Sequence, residues 1–135
     1  MSENWVVDIA ELHDHYGFTS KFDELSPEML KEYLQFRIKF LQEELDELKS
    51  ATNQEDVVDA LIDLCVVAIG TLDAFNVDSG EAWDLVHEAN MNKTPGVKAS
   101  RPNPFGLPDL IKPEGWVAPD HSDIVKRSNL KRFSV

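Results

Sequence analysis

The 135-residue sequence predicts an all-α protein, a bundle of four to five helices completed by oligomerisation, with an extended proline-rich arm at its C-terminal end. Three observations carry the prediction. Between Ser26 and Lys93 apolar residues recur at spacings of three and four, the period of helices with one face against a core. The helical segments of this stretch open on residues that cap helices well. Beyond Lys93, prolines and glycines are too frequent for a helix and too broken for regular strands. The expected division is therefore a helical domain over residues 1–94 and an arm over residues 95–135 that packs on it or on a neighbouring subunit.

Taken in order, "NWVVDIAELHDHY" reads as a first helix that ends at Gly17. Ser26 and Pro27, an N-cap followed by proline at the first helical position, open the second, in which Leu34, Ile38, Leu41, Leu45 and Leu48 step along one face to Ser50. The third starts near Thr52, which can cap it with Glu55 completing a capping box, and runs through "DVVDALIDLCVVAIGTLDAF". It is apolar on almost every side, so it belongs at the centre. Its few neighbours in so short a chain can cover only part of it, and a partner subunit is the natural cover. A homodimer or homotetramer is expected. The fourth opens at Asp78 and Glu81, again at capping-box spacing, and continues through "AWDLVHEANMNK". The arm holds Phe105, Leu107, Leu110, Ile111 and Trp116, which should lie against the helices or a second subunit. The tail "KRSNLKRFSV" gathers four basic residues and reads as solvated.

A net charge of −12 excludes a general nucleic-acid or anionic-membrane binder, and implies that a polyanionic substrate needs bound cations. The lone Cys65 cannot form an internal disulfide; as a buried small hydrophobe it suits a reducing cytoplasm. The N-terminus has no basic and then apolar pattern of a secretory signal. The longest apolar run, Val57 to Phe75, carries Asp59, Asp63 and Asp73, each costing roughly 2.5–3.5 kcal/mol at a bilayer centre on insertion scales. It reads as a core helix, not a span.

The chemistry lies in the carboxylates. Residues of a helix advance by about 100° each, so with Leu41 at zero, Glu44, Glu47 and Glu43 fall at roughly 60°, 120° and 160°, in a sector shared with Phe36, Arg37 and Phe40. On the next helix Asp56, Asp59 and Asp63 converge within about 60° among valine, leucine and isoleucine. An acidic run such as "EELDEL" alone is ordinary on a solvated face. Mid-helix aspartates in an apolar segment, with poor helix propensity and no capping duty, are not. The nearby cations Arg37, Lys39 and Lys49 are too few to neutralise both groups. A hard divalent cation, Mg²⁺ with Mn²⁺ as a substitute, satisfies such an all-oxygen set. A short connection makes the two helices antiparallel neighbours, bringing the groups within reach of one site.

These residues resemble a known family. "EELDE" followed by "DVVDALIDLCVVAIGT" is similar to the all-α NTP pyrophosphohydrolase superfamily, the MazG-like group, whose signature is E-E-x-x-E followed on the next helix by E-x-x-D. "VHEANMNK" resembles its VHxxNMxK segment, and "KPEGWVAPD" an ending found in short phage and bacterial members. The resemblance implies Mg²⁺-dependent cleavage of a nucleoside or deoxynucleoside triphosphate between the α and β phosphates, to the monophosphate and pyrophosphate. It implies Glu44, Glu47 and Asp59 as metal ligands and catalytic residues, with Asp56 completing the set. Glu43 would hold a further ion or position the attacking water. Asn90, Asn92 and Lys93 would contact phosphate oxygens, and Asp63 would contact substrate. The sequence departs from the signature where Asp56 stands for glutamate with Glu55 one place earlier, so either could be the fourth ligand.

For the base, His13 is a candidate reader, although a lone histidine on an amphipathic helix is more often an ordinary surface or packing residue; Tyr16, Phe18, Trp5, Phe36, Phe40 and Trp116 offer aromatic faces. Two other readings stand beside this one, the first of a different class and the second within the family. A non-catalytic acidic interaction protein would show no turnover, and a dUTP-specific diphosphatase would differ only in substrate range. A di-iron bundle is disfavoured because paired E-x-x-H motifs are missing.

Overall fold

The computed structural model describes residues 4–135, and is built from six α-helices and one short two-stranded ladder. Helix α1 (Trp5–His15) is capped by Asn4, whose side chain accepts from the Val7 amide at 3.1 Å. Gly17, at φ 67°, turns the chain into α2 (Phe18–Phe22), a short helix the sequence pattern had not predicted. Helix α3 spans Pro27–Ser50, with Ser26 capping through the Met29 amide, as the Ser-Pro pair predicts.

Helix α4 (Gln54–Ala74) corrects the expected cap: Asn53, not Thr52, fills it. The Asn53 side-chain oxygen accepts from the Asp56 amide at 2.8 Å, while its side-chain NH₂ donates to the Asp56 carboxylate at 2.9 Å. The reciprocal partner is thus Asp56, leaving Glu55 exposed. Helix α5 (Ser79–Met91) opens as expected on Asp78, which accepts from the Glu81 amide at 3.0 Å.

Helices α3 and α4 form an antiparallel hairpin across the short connection Ala51–Asn53, and α1 lies against α4. The core sits at the end of the hairpin far from that connection, where Phe22, Leu30, Ala74 and Phe75 are buried with Tyr33, Leu34 and Val77 packed around them. Phe22 meets Phe75 edge-on at 5.4 Å, a favoured arrangement of ring quadrupoles. Apolar contacts therefore hold one end of the hairpin and leave the other for polar chemistry. Cys65 is half-buried, not buried as expected, and lines a cleft of about 260 Å³ with Trp5, Ile9, Ile62, Val66 and Ile69. Helix α4 has an open side, on which Val58 is 63% exposed and Leu61 and Ile62 are also exposed.

The arm is more regular than its prolines suggest. Strands β1 (Thr94–Gly96) and β2 (Asp109–Ile111) pair antiparallel, with Thr94 opposite Ile111. A bidentate Arg101–Asp109 pair closes the far end of this hairpin at 2.8 Å. Of the arm's apolar residues, Ile111 and Trp116 are half-buried, whereas Phe105 is 78% exposed and Leu107 and Leu110 are also exposed.

The basic tail is docked rather than solvated. It follows α6 (Ser122–Lys126), in which Ile124 is buried, and it forms a 3-10 turn (Asn129–Arg132) and buries Ser128. Arg127 joins Asp123, Glu81 and Asp78, and Arg132 donates to the Leu25 carbonyl at 2.8 Å. The Asn129 amide donates to the Phe75 carbonyl at 2.8 Å, while the Phe133 ring lies 5.6 Å from that of Phe75. Ordering these residues has an entropic cost, offset by their apolar contacts and by satisfied backbone groups at the α4 end. Among the described residues, no helix is long and apolar enough to cross a membrane.

Candidate metal centre

Glu44 is the buried carboxylate of α3, only 9% exposed, on the face turned to α4. One oxygen each from Glu44, Glu47 and Asp63 lies within 4.8 Å of the others. The i, i+3 step sets the two glutamates on one face of α3, and Asp63 meets them from α4. The relative shift of the helices decides this meeting. The same alignment lets Arg37 donate to the Val67 carbonyl and to Thr71 Oγ1, each at 2.9 Å, one further stretch along both helices.

The electrostatics of this arrangement are unfavourable without a cation. Glu44 Oε2 is buried with no hydrogen-bond partner. Burial raises the Glu44 pKa first, and the negative charges of Glu47 and Asp63 raise it further. Among the described residues none of the three carboxylates forms an ion pair; the ion pairs of the chain lie elsewhere. An orphaned buried oxygen inside an all-carboxylate cluster fits a hard divalent cation, which supplies the missing positive charge and takes oxygen ligands.

The other predicted acids stand around this centre. Asp56 and Asp59 line an adjoining cleft of about 240 Å³ together with Glu47, Ser50, Ala51 and the buried Ala60. Asp56 is exposed and hydrogen-bonded to the Asn53 cap, so it has the capping duty that the sequence reading had given to Glu55. Glu43 is exposed on the flank of α3, close enough for its charge to act on Glu44. Asp46, exposed, accepts from Gln42 at 2.9 Å on the solvent side. Asp63, placed among substrate contacts by the sequence reading, instead lies inside the carboxylate cluster.

His13 hydrogen-bonds through Nδ1 to Asp73 at 2.6 Å and stacks on Phe18 with ring centroids 4.4 Å apart. Asp73 lies ten residues beyond Asp63 on α4, about 15 Å along its axis. His13 therefore ties α1 to α4 at a distance from the acids. Arg37 sits beside it over the Phe40 and Tyr33 rings, in space left by Gly70, where a Cβ would stand 2.8 Å from the guanidinium. Asn92 caps α5, Asn90 is exposed on its last turn, and Lys93 follows half-buried. Trp116 is anchored in place: its indole N–H donates to the Ala89 carbonyl at 2.8 Å.

Sequence reasoning set Asp63 among the converging acids of α4 but took Asp59 and Asp56 as its metal ligands, and it did not foresee that the Lys93 ammonium lies 5.3 Å from the Trp116 ring centroid. A signal for the first was present. If the aspartate of E-x-x-D is matched to Asp63, a signature glutamate would fall at Ala60, so the pattern is incomplete and easily misregistered by one helical turn. No curated protein matches the chain. The family model described as phosphoribosyl-ATP pyrophosphohydrolase matches residues 17–90, more than half of the chain and the whole of the helical hairpin that carries the carboxylates. An all-α fold, a cation-ready carboxylate cluster across two helices and this match agree, and the chain belongs to the phosphoribosyl-ATP pyrophosphohydrolase family of the all-α nucleotide pyrophosphohydrolases.

Proposed function

We propose that this protein is a Mg²⁺-dependent pyrophosphohydrolase that cleaves a nucleoside or deoxynucleoside triphosphate between its α and β phosphates, releasing the monophosphate and pyrophosphate. The observation that carries the reading is the buried, unpartnered Glu44 oxygen between Glu47 and Asp63. Glu44, Glu47 and Asp63 are the inner ligands, and Asp59 and Asp56 extend the set along α4 toward the cleft they share with Glu47. Mn²⁺ can replace Mg²⁺ in such a set.

When bound, the cation neutralises phosphate charge and lowers the pKa of water. The chain's own residues do the rest. Glu43, exposed at the rim, orients the attacking water and accepts its proton. Asn90, Asn92 and Lys93 hold phosphate oxygens, with Lys93 acting as a point charge. No covalent nucleophile is required. His13 supports the base site through the α1–α4 junction that it ties together. The family description favours a second substrate reading, phosphoribosyl-ATP itself. Incubation with Mg²⁺ and each (d)NTP, dUTP included, and with phosphoribosyl-ATP tests both. Pyrophosphate with the monophosphate product is expected; orthophosphate and diphosphate would overturn the α–β assignment, and no turnover above a Glu44→Gln background would favour an acidic interaction protein.

The helical domain (1–94) and arm (95–135) work in a cytoplasmic homodimer or homotetramer. The exposed apolar residues Val58, Leu61 and Ile62 on α4, with Trp83 on α5 at 73% exposure, support this reading. Sedimentation at micromolar concentration is expected to give a dimer or tetramer; a stable folded monomer would refute it.

A further inference from the structure

Lys93 and Lys112 flank the β1–β2 ladder at the junction of the helical domain and the arm. Thr94 pairs with Ile111, so the two lysines follow on opposed strands just beyond the last pair of the ladder. Both approach one ring: the ammonium nitrogen of Lys93 lies 5.3 Å from the Trp116 centroid and that of Lys112 lies 5.0 Å from it. The ring itself is fixed. Trp116 donates through its indole N–H to the Ala89 carbonyl, and its backbone amide donates to the Pro113 carbonyl at 3.0 Å, in a turn completed by Gly115 at φ 77°. Ile111 closes over Gly96, where a Cβ would meet its side chain at 2.7 Å, so the strands approach closely.

Like charges directly opposite on an antiparallel ladder are unfavourable, and an aromatic face offsets only part of that repulsion. In a chain of net charge −12 a carboxylate would be the easy remedy. Yet among the described residues neither lysine forms an ion pair, although Arg101, Arg127 and His13 all do. Two positive groups are thus held together on a rigid platform, unneutralised, at the end of the helix whose last residues are Asn90 and Met91.

We propose that Lys112, supplied by the arm, joins Lys93 in binding a phosphate group of the nucleotide substrate, with Trp116 as the platform that aims both ammonium groups. The inference rests on the nucleotide pyrophosphohydrolase reading for its substrate, but it adds a binding residue outside the helical domain. The phosphate is either part of the triphosphate chain or the distal phosphate of phosphoribosyl-ATP.

The test uses the full chain with Mg²⁺ and compares Lys112→Met, which keeps an apolar stem over Trp116 but removes the charge, with Lys112→Arg. Steady-state kinetics on a nucleoside triphosphate and on phosphoribosyl-ATP are measured beside calorimetric titration with inorganic tripolyphosphate. Lys112→Met is expected to raise KM about tenfold with kcat little changed, the scale of one charge-assisted hydrogen bond, and Lys112→Arg to restore most of it. A rise for both substrates with weaker tripolyphosphate binding assigns the pair to the triphosphate chain; a rise for phosphoribosyl-ATP alone assigns it to the distal phosphate. An unchanged KM for both substrates in Lys112→Met, with wild-type turnover intact, overturns the proposal and leaves the pyrophosphohydrolase reading standing. Should the wild type turn over neither substrate, that reading fails on its own, and tripolyphosphate binding decides this one: weaker in Lys112→Met supports it, equal refutes it.

Discussion

Glu44→Gln is expected to lower turnover by about 10²- to 10³-fold, the scale of removing one group that stabilises transition-state charge. The same substitution should make the metal-free protein more stable at neutral pH. The sign follows from the raised pKa of Glu44. Between the ordinary carboxylate value and the raised folded value, the folded chain binds more protons than the unfolded one, so stability falls as pH rises through that window. Above it the full penalty of an ionised, buried and repelled carboxylate is present. Glutamine keeps the shape and removes the charge. In thermal denaturation with chelator the variant should therefore melt higher than wild type at pH 7, and the gap should close on acidification below the ordinary carboxylate range. Adding Mg²⁺ should raise the wild-type melting temperature and leave the variant nearly unmoved, because binding to the folded state alone stabilises it. Protons compete for the same oxygens, so Mg²⁺ affinity should fall as pH drops through the raised Glu44 pKa. A variant less stable than wild type without metal would show that Glu44 is satisfied by the chain itself.

Asp63→Asn should be nearly as damaging as Glu44→Gln, whereas Asp59→Asn should cost only about tenfold, as expected of an outlying group around a metal site. The contrast separates two registers of the α4 carboxylates. If Asp59 is the inner ligand, the order reverses. If Asp63 is, as its oxygen within 4.8 Å of Glu44 and Glu47 supports, the Mg²⁺ concentration for half-maximal activity should rise most in Asp63→Asn. On α3, Glu47→Gln should fall with the severe group, while Asp46→Asn, whose carboxylate accepts from Gln42 in solvent, should keep wild-type turnover and Mg²⁺ response. An Asp46 variant as impaired as the Glu47 variant would remove the case for a directed site and return the run to a generic acidic face.

Much of this architecture is legible residue by residue. Ser26 before Pro27 and Asp78 before Glu81 mark helix starts that the structure reproduces, because capping is settled within one turn and needs no distant partner. The α4 start was misread for a reason equally local. Thr52 and Asn53 are adjacent capping residues, and the one chosen depends on where the chain leaves α3. The short ladder and the docked tail could not be read from composition. Prolines report only which backbone hydrogen bonds are missing, and basic residues do not reveal which carboxylates and carbonyls await them.

The site divides along the same line. Sequence by itself determines that Glu43, Glu44 and Glu47 share one sector of α3 and that Asp46 does not, because helical rotation is a property of the backbone. It also determines that α3 and α4 run antiparallel, since the connection between them is too short for anything else. Their axial offset is different. That is decided by Leu30, Phe75, Ala74 and Phe22 packing at the far end and by Arg37 reaching Val67 and Thr71, 30 and 34 positions further along the chain. A slip of one helical turn, about 5.4 Å, exchanges Asp59 for Asp63 opposite Glu44 without changing any local pattern. Only the tertiary structure chooses between them, because close packing admits one register whereas periodicity admits several.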